Sequence, residues 1–138
     1  MRVVITHHNA DLDALASSIA ATHLYEGAIA VSGSIVSPPV KRYLAIHKDH
    51  LDITPVGLIN PADVEEVIIV DVRDSRRIKE YEAIIEAADR VVVWDHHPDT
   101  PFDVEADESF VEPIGACVTL LVERMLVEGV RTGPTEAT

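Results

Sequence analysis

The chain has 138 residues, 47% of them hydrophobic, and a formal net charge of −13. The length suits one domain with a real core, the composition excludes a disordered chain, and no apolar run is long enough to span a bilayer. The negative surface repels nucleic acid at long range with no basic stripe to overcome it, so the charge reads as a solvating surface, as charge converging on a cation site, or as both.

In chain order, residues 2–6 read as the first strand, and because the sequence opens directly on it no signal or transit peptide is expected. Leu12 to Tyr25 reads as a helix whose Ala14, Ala16, Ser17, Ala20 and Ala21 suit close packing on a sheet, with Gly27 as its C-cap. Ala28 to Val31 is a second strand, followed by a polar turn through Gly33 and Ser34. Pro38 and Pro39 open the next helix, with Val40, Tyr43, Leu44 and His47 on one face. His47 and His50 read as surface or face-edge histidines, because no carboxylate accompanies them at a strand end. A short extended segment, Leu51 to Val56, leads through Asn60 and Pro61 to a strand over 66–71. A helix from Ser75, its expected N-cap, to Ala88 turns Ile78, Tyr81, Ile85 and Ala88 inward. A strand over 90–95, a loop over 98–109 and a short edge strand at Phe110 to Glu112 come next. The last helix, Gly115 to Glu128, is expected to place Val118, Leu121, Val122, Met125 and Leu126 on its buried side and to stop at Gly129. Cys117, the only cysteine, reads as a small buried hydrophobe; it excludes an internal disulfide and fits a reducing, cytoplasmic compartment.

Strands alternating with helices imply an α/β fold, a mostly parallel β-sheet with helices on both faces. Val67 to Val70 and Val91 to Trp94 are apolar throughout, as central parallel strands are. The right-handed crossover rule brings the strand C-termini to one edge. There the first strand is followed by His7, Asp11 and Asp13, the 66–71 strand ends at Asp71, and the 90–95 strand ends at Asp95, His96 and His97. An N-cap at Asp11, with Asp13 in the first helical turn, accounts for the first stretch alone. Three such endings at one edge point instead to a metal. Carboxylates with a minority of imidazoles suit Mn²⁺ or Mg²⁺ better than a thiolate-loving metal. Asp71, with its strand between the other two, is the natural bridge between two ions roughly 4 Å apart that activate a water and stabilise the leaving oxygen of a phosphoryl displacement. Arg73, Arg76 and Arg77 read either as phosphate-binding residues or as surface ion pairs at a helix start.

His7-x-x-x-Asp11-x-Asp13, then Asp71, then Asp95-His96-His97 resemble motifs I, II and III of the DHH phosphoesterase family, in order and spacing over nearly the whole chain. The resemblance implies His7, Asp11 and Asp71 on one Mn²⁺, and Asp13, Asp71 and His96 on a second. It further implies His97 on the scissile phosphate and Asp95 orienting its neighbours. Gly115 to Thr119 resembles the small-residue segment that opens a helix near the site, and His8 matches no ligand position. The expected substrate is a phosphate ester, a nucleotide or short RNA, with no membrane partner.

Two features depart from the family. Its fourth motif, another metal-binding Asp, has no counterpart, although Pro134 to Thr138 resembles the start of the helix before it. Its second domain, with a glycine-rich substrate-binding motif, is also missing. Residues 1–138 are therefore expected to be a DHH domain truncated before motif IV and weakly active or inactive alone. Leu24-Tyr25 and Val111 to Ala116 look most like the N-terminal DHH domain of long bacterial proteins that continue into CBS domains and a tRNA nucleotidyltransferase or poly(A) polymerase module. A second reading is a non-catalytic module that binds RNA or a nucleotide for such a nucleotidyltransferase; the complete motifs I to III favour chemistry. A receiver domain also puts Asp at strand ends, but it needs no His pair there and wants a Lys on its last strand.

Overall fold

The apolar runs of the sequence become the centre of a six-stranded sheet. The computed structural model describes residues 1–47 and 51–130, so His50 and the Pro134 to Thr138 segment lie outside the described residues. The strands are β1 (Arg2–Ile5), β2 (Ile29–Ser32), β3 (Ile53–Pro55), β4 (Glu66–Val70), β5 (Arg90–Asp95) and β6 (Glu108–Val111). Their order is β3-β2-β1-β4-β5-β6, and every neighbouring pair is parallel. The order runs one way from β1 and the other way from β4. Connections therefore leave this central pair in opposite directions, opening a crevice at their C-terminal ends.

Among the described residues, four α-helices cover the sheet: α1 (Leu12–Leu24), α2 (Pro38–His47), α3 (Glu82–Ala87) and α4 (Cys117–Glu128). Side chains of β4 alternate between faces as the pleat requires. Val67 and Ile69 pack with Ile78, Tyr81 and Ile84, while Ile68 and Val70 pack with Ala20, Ala21 and Leu121. Thus α1 and α4 share one face and α3 covers the other. The helix α2 leans on α1 through Val40 against Leu15 and Ile19. Ala14 and Ala21 are fully buried, which lets α1 sit close to the strands. Among the described residues, no helix is long and apolar enough to cross a membrane.

Local readings differ from the structure in three places. Gly27 does not cap α1: Tyr25 does, held where its hydroxyl accepts from Trp94 Nε1 at 3.0 Å, and Gly27 takes φ +78° in the following turn. The expected helix from Ser75 is two 3₁₀ turns, Ser75–Arg77 and Lys79–Tyr81, before the short α3. Its cap is Asp74, whose carboxylate accepts from Arg76 N at 2.9 Å, and the Ser75 amide donates across to the Phe102 carbonyl. A carboxylate that captures local amides favours such turns over a continuous helix. Finally, α4 is rotated from the expected face. It buries Cys117, Leu120, Leu121 and Met125, leaving Val122 42% and Leu126 75% exposed. Its first turn is docked by the Cys117 thiol donating to the Trp94 carbonyl at 3.2 Å, which sets that rotation. The stop at Gly129, with φ +71°, is as expected.

Two outcomes follow. Leu121→Ala should lower the unfolding free energy by about 2–5 kcal/mol in urea titrations, whereas Leu126→Ala should change it by less than about 0.5 kcal/mol. Burial, with the Glu80 charge adding to it, raises the Tyr81 phenol above its ordinary value of 10.0. The folded state thereby favours the neutral phenol. That contribution is whole below about pH 10 and is lost as the pH climbs towards the folded value. Stability should fall more steeply above pH 10 in the wild type than in Tyr81→Phe, as followed by circular dichroism.

Candidate metal centre

The crevice at the β1/β4 ends gathers the three strand-end motifs. Asp71 sits immediately after β4, between the ends of β1 and β5, and is 2% exposed. Its φ of +63° lies in the left-handed region that side chains other than glycine rarely adopt, and its amide donates to the Trp94 carbonyl at 2.8 Å. Asn9, with φ +55°, makes the same kind of turn in the loop after β1. The strand ends are thus bent out of extended geometry on both sides of the crevice, a strain that persists only where the surroundings impose it.

The two oxygens of Asp71 face different histidines. Oδ2 lies 3.3 Å from His7 Nε2, and Oδ1 lies 2.9 Å from His96 Nε2. Each ring is anchored at its other nitrogen: Nδ1 of His7 donates to the His8 carbonyl and Nδ1 of His96 to the Ile114 carbonyl, both at 2.9 Å. Backbone acceptors at Nδ1 leave Nε2 turned to Asp71, the arrangement that metal-binding histidines adopt. Burial is the largest influence on both imidazoles and alone would lower their pKa. The carbonyl and Asp71 contacts outweigh it, so both are raised.

Around this pair the donors fall into two groups that share Asp71. His7, Asp11 and Asp71 form one, and Asp71, Asp95, His96 and His97 the other, with ligand atoms in each lying within 4.8 Å of one another. Asp11 also caps α1, its Oδ1 accepting from Ala14 N at 2.9 Å and lying 4.0 Å from His7 Nε2. Asp13 belongs to neither close group. Its Oδ2 is 3.6 Å from His96 Nε2, and its two oxygens accept from Cys117 N and Val118 N, both at 3.1 Å. The N-cap residue of α4, Ala116, has no capping side chain of its own. Asp13 supplies that cap from another helix, which favours its negative charge.

Asp95 is 1% exposed and splits its carboxylate between His97 Nδ1 at 2.6 Å and Arg73 Nε at 3.1 Å. Of the three arginines, Arg73 is taken up by carboxylates. Arg76 forks onto Asp74 and lies over the Phe102 ring. Arg77 is exposed, and its guanidinium makes no hydrogen bond or ion pair among the described residues. Its carbonyl accepts from the His8 amide at 2.9 Å, tying the loops after β1 and β4 together. The His8 and Ile114 carbonyls that orient the histidines have no signal in side-chain type, so no sequence pattern identifies them. Cys117, buried beneath the site, has its thiol pushed up to about 12 by burial and is no nucleophile there.

A family model described as "DHH family, N-terminal domain" matches residues 2–136. The chain is 28% identical over 140 residues to an A-adding tRNA nucleotidyltransferase of Geobacter sulfurreducens, spanning 100% of this chain and 16% of that protein. It is likewise 28% identical over 143 residues to the A-adding tRNA nucleotidyltransferase of Aquifex aeolicus, spanning 99% of this chain and 15% of that one. Among solved structures, a Methanococcus jannaschii protein assigned to the family II inorganic pyrophosphatases superposes over 99% of this chain and 45% of its own. Its TM-score is 0.68 at 21% identity, a likeness of fold.

The Asp13 cap has a measurable consequence. Asp13→Ala should lower the unfolding free energy by about 1–3 kcal/mol without any metal present, because two amides of α4 lose a charged acceptor. Chemical denaturation in the presence of a chelator checks it.

Proposed function

Since the chain belongs to the DHH family, as its N-terminal domain, we propose that it is the hydrolytic core of an Mn²⁺-dependent phosphoesterase acting on a phosphodiester or phosphoanhydride. The observation that carries this reading is the Asp71 carboxylate, turned with one oxygen to each of two imidazoles whose outer nitrogens are tied to carbonyls. The donor set fits a pair of hard divalent cations: carboxylates dominate, imidazoles are the minority, and the nearby thiol is held protonated. His7, Asp11 and Asp71 would hold one ion, and Asp13, Asp71 and His96 the other. Mg²⁺ suits the same donors. When bound, such a pair supplies Lewis acidity at the attacking and leaving oxygens of a phosphoryl displacement.

The residues of the chain do the rest. Asp71, common to both donor groups, would serve both positions with its one carboxylate. Asp11 and Asp13, each satisfied by helix amides, bring negative charge without mutual collapse. His97, hydrogen-bonded at Nδ1 by Asp95, has Nε2 for a phosphate oxygen. Arg77, whose guanidinium makes no hydrogen bond or ion pair among the described residues, is the remaining cation for the same anion. The chain spans about one-sixth of the curated relatives' length, so substrate choice belongs to a longer protein: a nucleotide or short RNA, handled together with further domains of the parent chain.

A second reading is favoured by the names of those relatives: a non-catalytic module that holds RNA or a nucleotide for a tRNA nucleotidyltransferase. Thermal melting with Mn²⁺ separates the possibilities. An ion bound only by the folded state, at a hundredfold excess over its dissociation constant, should stabilise it by about 2.7 kcal/mol. Asp71→Asn should abolish most of that gain. An equal response in wild type and Asp71→Asn puts the ion elsewhere on the acidic surface. Binding of RNA without hydrolysis of any phosphate ester, with or without Mn²⁺, favours the module.

A further inference from the structure

We infer that Arg73 is a positioning residue, which sets the orientation of His97 through Asp95 and through the His97 backbone, and is not a contact for substrate phosphate. The inference rests on the phosphoesterase reading for the role of His97, and on geometry alone for the role of Arg73.

Each nitrogen of the Arg73 guanidinium already faces an acceptor. Nε lies 3.1 Å from Asp95 Oδ2, and Nη2 donates to the His97 carbonyl at 2.7 Å. Nη1 lies 2.8 Å from Asp99 Oδ1 and 3.3 Å from Asp103 Oδ2. The side chain is only 13% exposed. A guanidinium offers a rigid planar fork, so these contacts fix its plane. It thereby holds Asp95 on the oxygen opposite the one that His97 Nδ1 uses. The same fork holds His97 by its carbonyl, so ring and backbone of one residue are set by one cation.

The surrounding backbone agrees with a clamp. The Val104 amide donates to the Arg73 carbonyl at 2.9 Å, and Asp74 and Asp103 form an isolated antiparallel bridge. The loop after β4 is therefore stitched to the loop after β5, which no helix covers before β6. Without Arg73, Asp95 keeps the His97 contact but loses the group that fixes its rotation. The imidazole then has a partner that turns.

Two measurements test this on the whole 138-residue chain. In proton spectra with ¹⁵N-labelled histidine, the His97 Nδ1–H bound to Asp95 should give a slowly exchanging downfield resonance, identified by its absence in His97→Gln. Arg73→Gln and Arg73→Lys should broaden it or move it upfield. Asp103→Asn, which loosens only the far end of the clamp, should do so more weakly. The resonance unchanged in Arg73→Lys and Asp103→Asn overturns the inference, even where Arg73→Gln fails to fold. The second measurement is Mn²⁺-dependent hydrolysis of bis(4-nitrophenyl) phosphate. Arg73→Lys should lower kcat roughly tenfold with KM little changed, and should lower it no further in a His97→Gln background. A rise in KM instead, or the same loss in both backgrounds, makes Arg73 a substrate contact or a general structural prop and overturns the inference. Where the 138-residue chain alone hydrolyses nothing, the His97 resonance still decides the role of Arg73.

Discussion

The carboxyl edge of this sheet is organised by one carboxylate withdrawn from water. An isolated buried carboxylate is expensive to keep charged, and it survives in a fold only when its oxygens are engaged. Asp71 meets that condition by facing an imidazole at each oxygen, and the requirement propagates outward. The histidines must be held by their outer nitrogens, so the His8 and Ile114 carbonyls must be in place. The residue must leave β4 in a left-handed turn, so the neighbouring strand must accept its amide. Both are possible because β4 lies between β1 and β5, where the strand order diverges.

A shell of a different kind surrounds this centre. Acidic residues crowded at one sheet edge repel one another unless each is given something to do. Asp11 and Asp13 are spent on helix N-termini, Asp95 on an imidazole and a guanidinium, and Asp103 on Arg73 and the Thr100 hydroxyl. Much of the net charge of −13 is exposed elsewhere, but the part at the crevice is distributed over backbone amides and one arginine. A concentration of negative charge is thereby made compatible with a stable edge.

The sheet and the meeting of the motifs were legible because apolar runs and their polar ends carry the same information: where a strand lies and where it stops. Parallel topology then puts the ends together, with Asp71 in the middle. Less legible was whatever depends on rotation or on backbone. The buried stripe of α4 could not be told from its neighbour because Leu120, Leu121, Val122 and Leu126 are all apolar, and docking of Cys117 and Asp13 chooses among them. The segment after Asp74 has helical composition, yet the Asp74 carboxylate and the Phe102 carbonyl draw its amides into tighter turns. For Arg73 and Arg76, the surface-pairing alternative described their surroundings in part. Neither charge nor spacing revealed that Arg73 is nearly buried, held between Asp95, Asp99 and Asp103.

The cap that Asp13 places on α4 also bears on the order in which the fold can be made. The residues it joins are 104 apart in the chain, and closing so wide a loop carries an entropic penalty that only surrounding contacts offset. Five intervening strands must pair, each parallel to its neighbour and none by a hairpin, before the first turn of α4 has its acceptor. Non-local pairing of this kind is slow. A nascent chain thus completes Asp13 among the last of its contacts, and that carboxylate reaches the crevice only when the final helix has docked.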